Sequence, residues 1–80
     1  MRSNHVAEAI KLARQKAGMS GAEVAAAVDV SRQFIHEVER SKRRLTQDKI
    51  ALLPDGIRQP VLAARIREVE EELAALRREL

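Results

Sequence analysis

The sequence predicts an all-α fold of five helices, and three observations carry that reading. Side chains suited to sheets are scarce: Phe34 is the one aromatic residue among 80, while hydrophobic residues, chiefly Ala, Leu, Val and Ile, make up 45%. Thin, closely packed helices use such side chains, whereas a small sheet calls for aromatic and β-branched residues in quantity. Apolar residues also return at intervals of three and four along most of the chain. Finally, residues that start and stop helices punctuate those stretches.

The first helix can be capped by Ser3 or Asn4; its apolar positions Val6, Ile10, Ala13 and Ala17 recur at helical spacing, and Gly18 ends it. The second opens at Ser20, whose side-chain oxygen can accept an orphan amide, with Glu23 three residues on to complete a capping box. Val24, Ala25 and Val28 form its apolar stripe. Asp29 falls where the chain must reverse within a few residues, a place that often needs a left-handed backbone, which aspartate tolerates better than most. Ser31 caps the third helix, Ser31–Arg40. Ile35 and Val38 share one of its faces, while Arg32, Gln33, His36, Glu37 and Arg40 point elsewhere and make a polar, long-armed surface.

A basic segment follows, with Arg40, Lys42, Arg43 and Arg44 close together. Thr46 then caps a short fourth helix, Gln47–Leu53, that turns Ile50 and Leu53 inward and is stopped by Pro54-Asp55-Gly56. The last helix is expected to start between Ile57 and Pro60, because proline is tolerated near a first turn, and to run to about Leu80. Residues 1–56 therefore form one unit and 57–80 a C-terminal helix. Along that helix Leu62, Ile66, Val69, Leu73, Leu76 and Leu80 repeat at spacings of 4, 3, 4, 3 and 4, a heptad seam. With Ile66 and Leu73 at a positions, a parallel pair of helices sets Arg65 against Glu70 and Glu72 against Arg77, both attractive. The same stripe would also serve a helix folded back on its own subunit.

Composition narrows the function. Eighty residues make one small domain, which buries only about 60% of its unfolded surface as a monomer and gains from a partner subunit. With no cysteine there is neither a disulfide framework nor a thiolate metal site. The longest apolar runs fall far short of the roughly 20 residues of a membrane span, and no signal-peptide core follows Met1, so a cytoplasmic protein is expected. Histidine occurs only at positions 5 and 36, without a metalloprotease pair, a phosphate-binding glycine loop or a nucleophile elbow; neither an enzyme, a metal nor a cofactor is expected. The net charge is +3, and its placement is uneven: residues 1–53 carry ten Lys/Arg against six Asp/Glu, residues 54–80 five against six. Such an excess beside a polar helix suits a polyanion, although a basic cluster standing alone is often a solvated loop.

Met19-Ser20, Val24-Ala25, Val28-Asp29-Val30-Ser31, Ile35 and Val38-Glu39-Arg40 together resemble the helix-turn-helix of the lambda repressor and Cro class, also called the xenobiotic-response-element family. The resemblance covers roughly residues 6–53. This chain departs from the usual pattern at Asp29 and Ser41, where the family usually has glycine, and at Gly21, where it often has glutamine. The resemblance implies a five-helix lambda-repressor-like domain in which the third helix enters the major groove of double-stranded DNA. It implies a structural ion pair between Arg14 and Glu39, and base contacts from Arg32, Gln33 and Glu37. Arg can fork onto guanine, Gln onto adenine, and Glu can accept from cytosine N4. Phe34 either touches a thymine methyl or packs beside the first helix, and His36 faces the DNA or its rim. Ser20, Gly21 and Ser31 at the helix starts, with Arg40, Lys42, Arg43 and Arg44, are the expected phosphate contacts.

The function so implied is a transcriptional regulator, a repressor or autoregulator, acting as a homodimer on a palindromic operator through the Leu62–Leu80 seam. An antitoxin-like or adaptor protein, whose C-terminal helix grips another protein, is the second reading.

Overall fold

The computed structural model describes residues 5–80, which fold into five helices: α1, His5–Lys16; α2, Gly21–Ala27; α3, Arg32–Glu39; α4, Gln47–Ala51; and α5, Asp55–Arg78. Ser3 and Asn4, the expected caps of α1, lie outside the described residues.

α1, α2 and α3 stop in the same way. A residue with left-handed backbone follows each helix: Gly18 (φ 68°), Asp29 (φ 56°) and Ser41 (φ 62°). Its amide and the next one turn back onto the carbonyls of the last helical turn. The bonds are Gly18 to Gln15 and Met19 to Arg14, Asp29 to Ala26 and Val30 to Ala25, Ser41 to Val38 and Lys42 to Glu37. These are Schellman caps, which satisfy orphan carbonyls while turning the chain sharply. Only the first uses glycine.

The core is a single cluster: Val6, Ile10 and Ala13 of α1, Val24, Ala25 and Val28, Ile35 and Val38, Leu45, Ile50 and Leu53, and finally Ile57, Val61 and Ala64 of α5. Ala17, expected on the apolar face of the first helix, is exposed, because α1 ends at Lys16 and the chain turns away at Gly18. No polar or charged side chain is fully buried among the described residues.

α4 is shorter than expected, closing at Leu52, and α5 begins earlier, at Asp55. Pro54 is the reason for both: its fixed φ (−55°) suits an N-cap, its carbonyl accepts from the amides of Ile57 and Arg58, and Asp55 adds negative charge to the first turn. A segment that reads as the stop of one helix is thus the start of the next. Asp55 also pairs with Arg58 one turn on. Pro60 then lies inside the helix on an exposed side, and α5 ends at Arg78, short of Leu80.

α5 carries two faces. Ile57, Val61 and Ala64 pack against the core, and the same side continues through Glu68 and Glu71 to the start of α1. There a Glu68 carboxylate oxygen accepts from the Val6 amide at 3.0 Å, and a Glu71 carboxylate oxygen lies 2.7 Å from His5 Nε2. Negative charge at a helix N-terminus is favourable. At about 100° per residue, the seam from Leu62 to Leu80 is centred roughly 140° round the helix from that side. Only Leu62, next to the core, is partly covered; Ile66, Val69, Leu73, Leu76 and Leu80 are exposed. The longest dimension of the molecule, 44 Å against 21 and 20 Å, reflects this projecting helix.

Candidate nucleic-acid interface

α2, the Asp29 turn and α3 form the bihelical unit expected at Ser20–Arg40. Its joints are local. Ser20 Oγ accepts from the Glu23 amide at 3.1 Å while the Ser20 amide donates to Glu23 Oε1 at 2.9 Å, closing the capping box. That backbone bond, with the Ser20 hydroxyl adding to it, holds the Glu23 carboxyl below the usual glutamate range. Ser31 Oγ accepts from the Phe34 amide at 3.0 Å and fixes the start of α3. Both serine hydroxyls therefore cap helices, and that of Ser31 keeps its own proton to donate outward.

α3 is anchored from behind. Ile35 and Val38 are buried, and Arg14 grips Glu39 with a two-pronged fork, Nε to Oε2 at 2.8 Å and Nη2 to Oε1 at 3.0 Å. Arg14 Nη1 also donates to the Met19 carbonyl at 3.1 Å, tying α1, the α1–α2 turn and the end of α3 together. Both side chains are mostly buried, and the hydrogen bond to Glu39 raises the Arg14 pKa above its ordinary value. This is the ion pair that the family resemblance implied.

The opposite side of α3 is open. Arg32, Gln33, His36 and Arg40 are exposed, and Glu37 and Phe34 are half-covered. Phe34 packs against the core cluster while part of its ring stays open. Ser41 then sends the chain past α3, leaving Lys42, Arg43 and Arg44 exposed while Leu45 plugs the core. Gly21 is an open position, since a Cβ there would meet nothing within 4 Å. The base-reading and phosphate-holding residues expected from the sequence thus lie at the start of α2, along α3 and in the following loop.

Three features of this surface were not foreseen from the residue pattern. Arg43 Nε donates to Glu37 Oε2 at 2.6 Å, and its guanidinium carbon lies 5.7 Å from the centre of the Phe34 ring. Gln33 Nε2 donates to the other Glu37 oxygen at 3.3 Å. Both bonds, Arg43 first, hold the Glu37 carboxyl below the usual glutamate range. The third is Lys49 on α4, whose Nζ lies 3.5 Å from the Asp29 carbonyl and adds positive charge beside the turn. Gln33 and Glu37 stand four apart on one helix, a spacing that could have signalled their bond, whereas the Arg43 contact had no such signal because the left-handed Ser41 decides where the loop returns.

On α5, Arg65 uses its charge within its own helix, toward Glu68 at 3.3 Å and Glu72 at 3.8 Å. Among the described residues no group of three or more His, Cys, Asp or Glu could hold a metal ion, and no helix is long and apolar enough to cross a membrane.

A helix-turn-helix family model matches residues 10–60, more than half of the chain, and the protein belongs to that family, of the lambda repressor and Cro type. Its architecture is similar to a crystal structure of a tyrosine-to-phenylalanine mutant of the restriction-modification controller protein C.Esp1396I. The two are 28% identical, with a TM-score of 0.65 over 91% of this chain and 96% of that one. No curated protein matches the sequence. Family and fold together identify a DNA-binding transcriptional regulator.

Proposed function

We propose that the protein is a sequence-specific regulator of transcription, a repressor or autoregulator, that binds an inverted-repeat operator in double-stranded DNA as a homodimer. The observation that carries this reading is the presentation of α3: apolar residues and the Arg14–Glu39 fork hold one side, and the other offers Arg32, Gln33 and His36 to solvent. A helix so held can enter a major groove, with Arg32 and Gln33 at its leading end reading base edges. Arg40, Lys42 and Arg44 and the hydroxyls of Ser20 and Ser31 surround it as phosphate contacts, which position the protein without reading sequence.

The dimer is assigned to α5. Its Ile66–Leu80 face is apolar, exposed and turned away from its own core, so the intrachain role that the sequence also allowed is taken by Ile57, Val61 and Ala64 instead. Two recognition helices about 34 Å apart, one per subunit, match successive major grooves. The likeness to a restriction-modification controller over nearly the whole of both chains makes control of such genes the setting we favour. In that setting the protein acts in the cytoplasm, at the nucleoid.

Selecting bound duplexes from a random pool tests the proposal. The expected product is an inverted repeat with half-sites about one helical turn apart. Arg32→Ala should flatten the preference at one base pair per half-site, a discrimination of about 1–3 kcal/mol, while leaving other positions intact. Enrichment of single, unpaired half-sites would count against the dimer, and failure to enrich any sequence would overturn the regulator.

A further inference from the structure

The Glu37–Arg43 pair gives these two residues roles that their positions in the chain did not suggest. Arg43 lies in the basic loop, where its neighbours are suited to phosphates, and Glu37 faces outward from α3, where a carboxylate close to DNA would be repelled by the backbone. The structure brings them together. Glu37 takes the Nε edge of Arg43, Phe34 lies under the guanidinium, and Gln33 steadies the second Glu37 oxygen. Phe34 is itself packed against the core cluster and backs the guanidinium. The contact uses Nε alone, and the terminal amino groups Nη1 and Nη2 have no partner among the described residues. A carboxylate on one edge of a guanidinium aims the other edge, and a planar two-donor edge is the group that matches guanine O6 and N7.

We infer that Arg43 reads a guanine beside the contacts of α3, and that Glu37 is a positioning residue which aims it and does not itself accept from a base. The inference rests on the proposed DNA-binding role. Two consequences separate it from a phosphate contact. Lysine at position 43 would keep the charge but lose the fork, so phosphate binding would survive and base reading would not. Removing Glu37 would free Arg43 to swing, erasing the same base preference without touching Arg43. It would also remove a negative charge from the DNA-facing surface, so binding to random duplex should hold or tighten.

The test is duplex selection followed by competition binding with the full-length protein as wild type, Arg43→Lys, Glu37→Ala and the double variant. Circular dichroism establishes that each is folded, which is expected because neither side chain belongs to the core. Arg43→Lys should lose roughly tenfold to hundredfold discrimination at one guanine per half-site while keeping the affinity for random DNA and its salt dependence. Glu37→Ala should lose preference at that same base pair, and the double variant should be no worse than Arg43→Lys. An unchanged preference in Arg43→Lys would return Arg43 to the phosphates. Loss of preference at a different base pair in Glu37→Ala would make Glu37 a direct reader. If wild type selects no sequence at all, the regulator proposal fails; if it selects one that the Arg43 and Glu37 variants share, only this inference does.

Discussion

Replacing Val69 and Leu73 together by aspartate tests whether α5 joins two subunits. In the single subunit these side chains are 36% and 45% exposed, and they sit on the side of the helix away from Ile57, Val61 and Ala64. Fully burying an aliphatic side chain is worth about 1.5–3 kcal/mol, so covering what remains open on each contributes roughly 1 kcal/mol. Two residues from each of two helices then account for about 4 kcal/mol of association, close to three decades in dimer Kd. Four carboxylates crowded into the same seam add repulsion and desolvation to that loss. Within the subunit the change costs the lower helix propensity of aspartate, at most about 0.7 kcal/mol per site, together with the burial of the part of each side chain already covered there. Analytical ultracentrifugation should therefore show a monomer at concentrations where wild type is a dimer, with unchanged helix content by circular dichroism. A bandshift on a two-half-site duplex should weaken by a comparable factor. A variant that stays dimeric would show that the interface lies elsewhere, and one that unfolds would show that this face belongs to its own subunit's core.

Glu39→Gln removes the charge and one prong of the Arg14 fork, and should lower stability by about 1.5–3 kcal/mol in urea titrations, since hydrogen bonds between charged groups are the strong ones. Ser41→Gly relieves the left-handed strain at φ 62° and should stabilise by about 0.5–1 kcal/mol. At about 4–8 °C per kcal/mol for a domain of this size, calorimetry should resolve the increase in Tm. The Glu23 carboxyl is held below its ordinary range by the Ser20 amide, so its contribution is present above the range of an unfolded glutamate. That contribution is lost as pH falls through the folded value. Urea midpoints followed from neutral to acid pH should accordingly drop less steeply in Glu23→Gln than in wild type.

Much of the fold follows from residues that act on their near neighbours. Ser20, Glu23 and Ser31 make the bonds their spacing required, since a capping residue and its amide partner are only three positions apart. Asp29 takes the left-handed conformation expected at a three-residue reversal. The apolar faces of α2 and α3 likewise follow from helical period alone. Along α5, however, the sequence holds two apolar stripes, one short and one long, and period says nothing about which of them meets the core. Packing against α1 chooses Ile57, Val61 and Ala64, draws Glu68 and Glu71 to the start of α1, and leaves the heptad seam outside. The extent of α4 and α5 was ambiguous for a related reason: Pro54 and Asp55 serve equally well to end one helix or to begin another, and burial of Ile57 decides between them. At the DNA-facing surface, the pattern placed Arg32 and Gln33 at the leading end of α3, while the union of Glu37 with Arg43 depends on a left-handed turn at Ser41 bringing a loop back across a helix. Local hydrogen bonds and periodicity are written in consecutive residues, but the choice between competing faces is made only when distant segments exclude water from the same space.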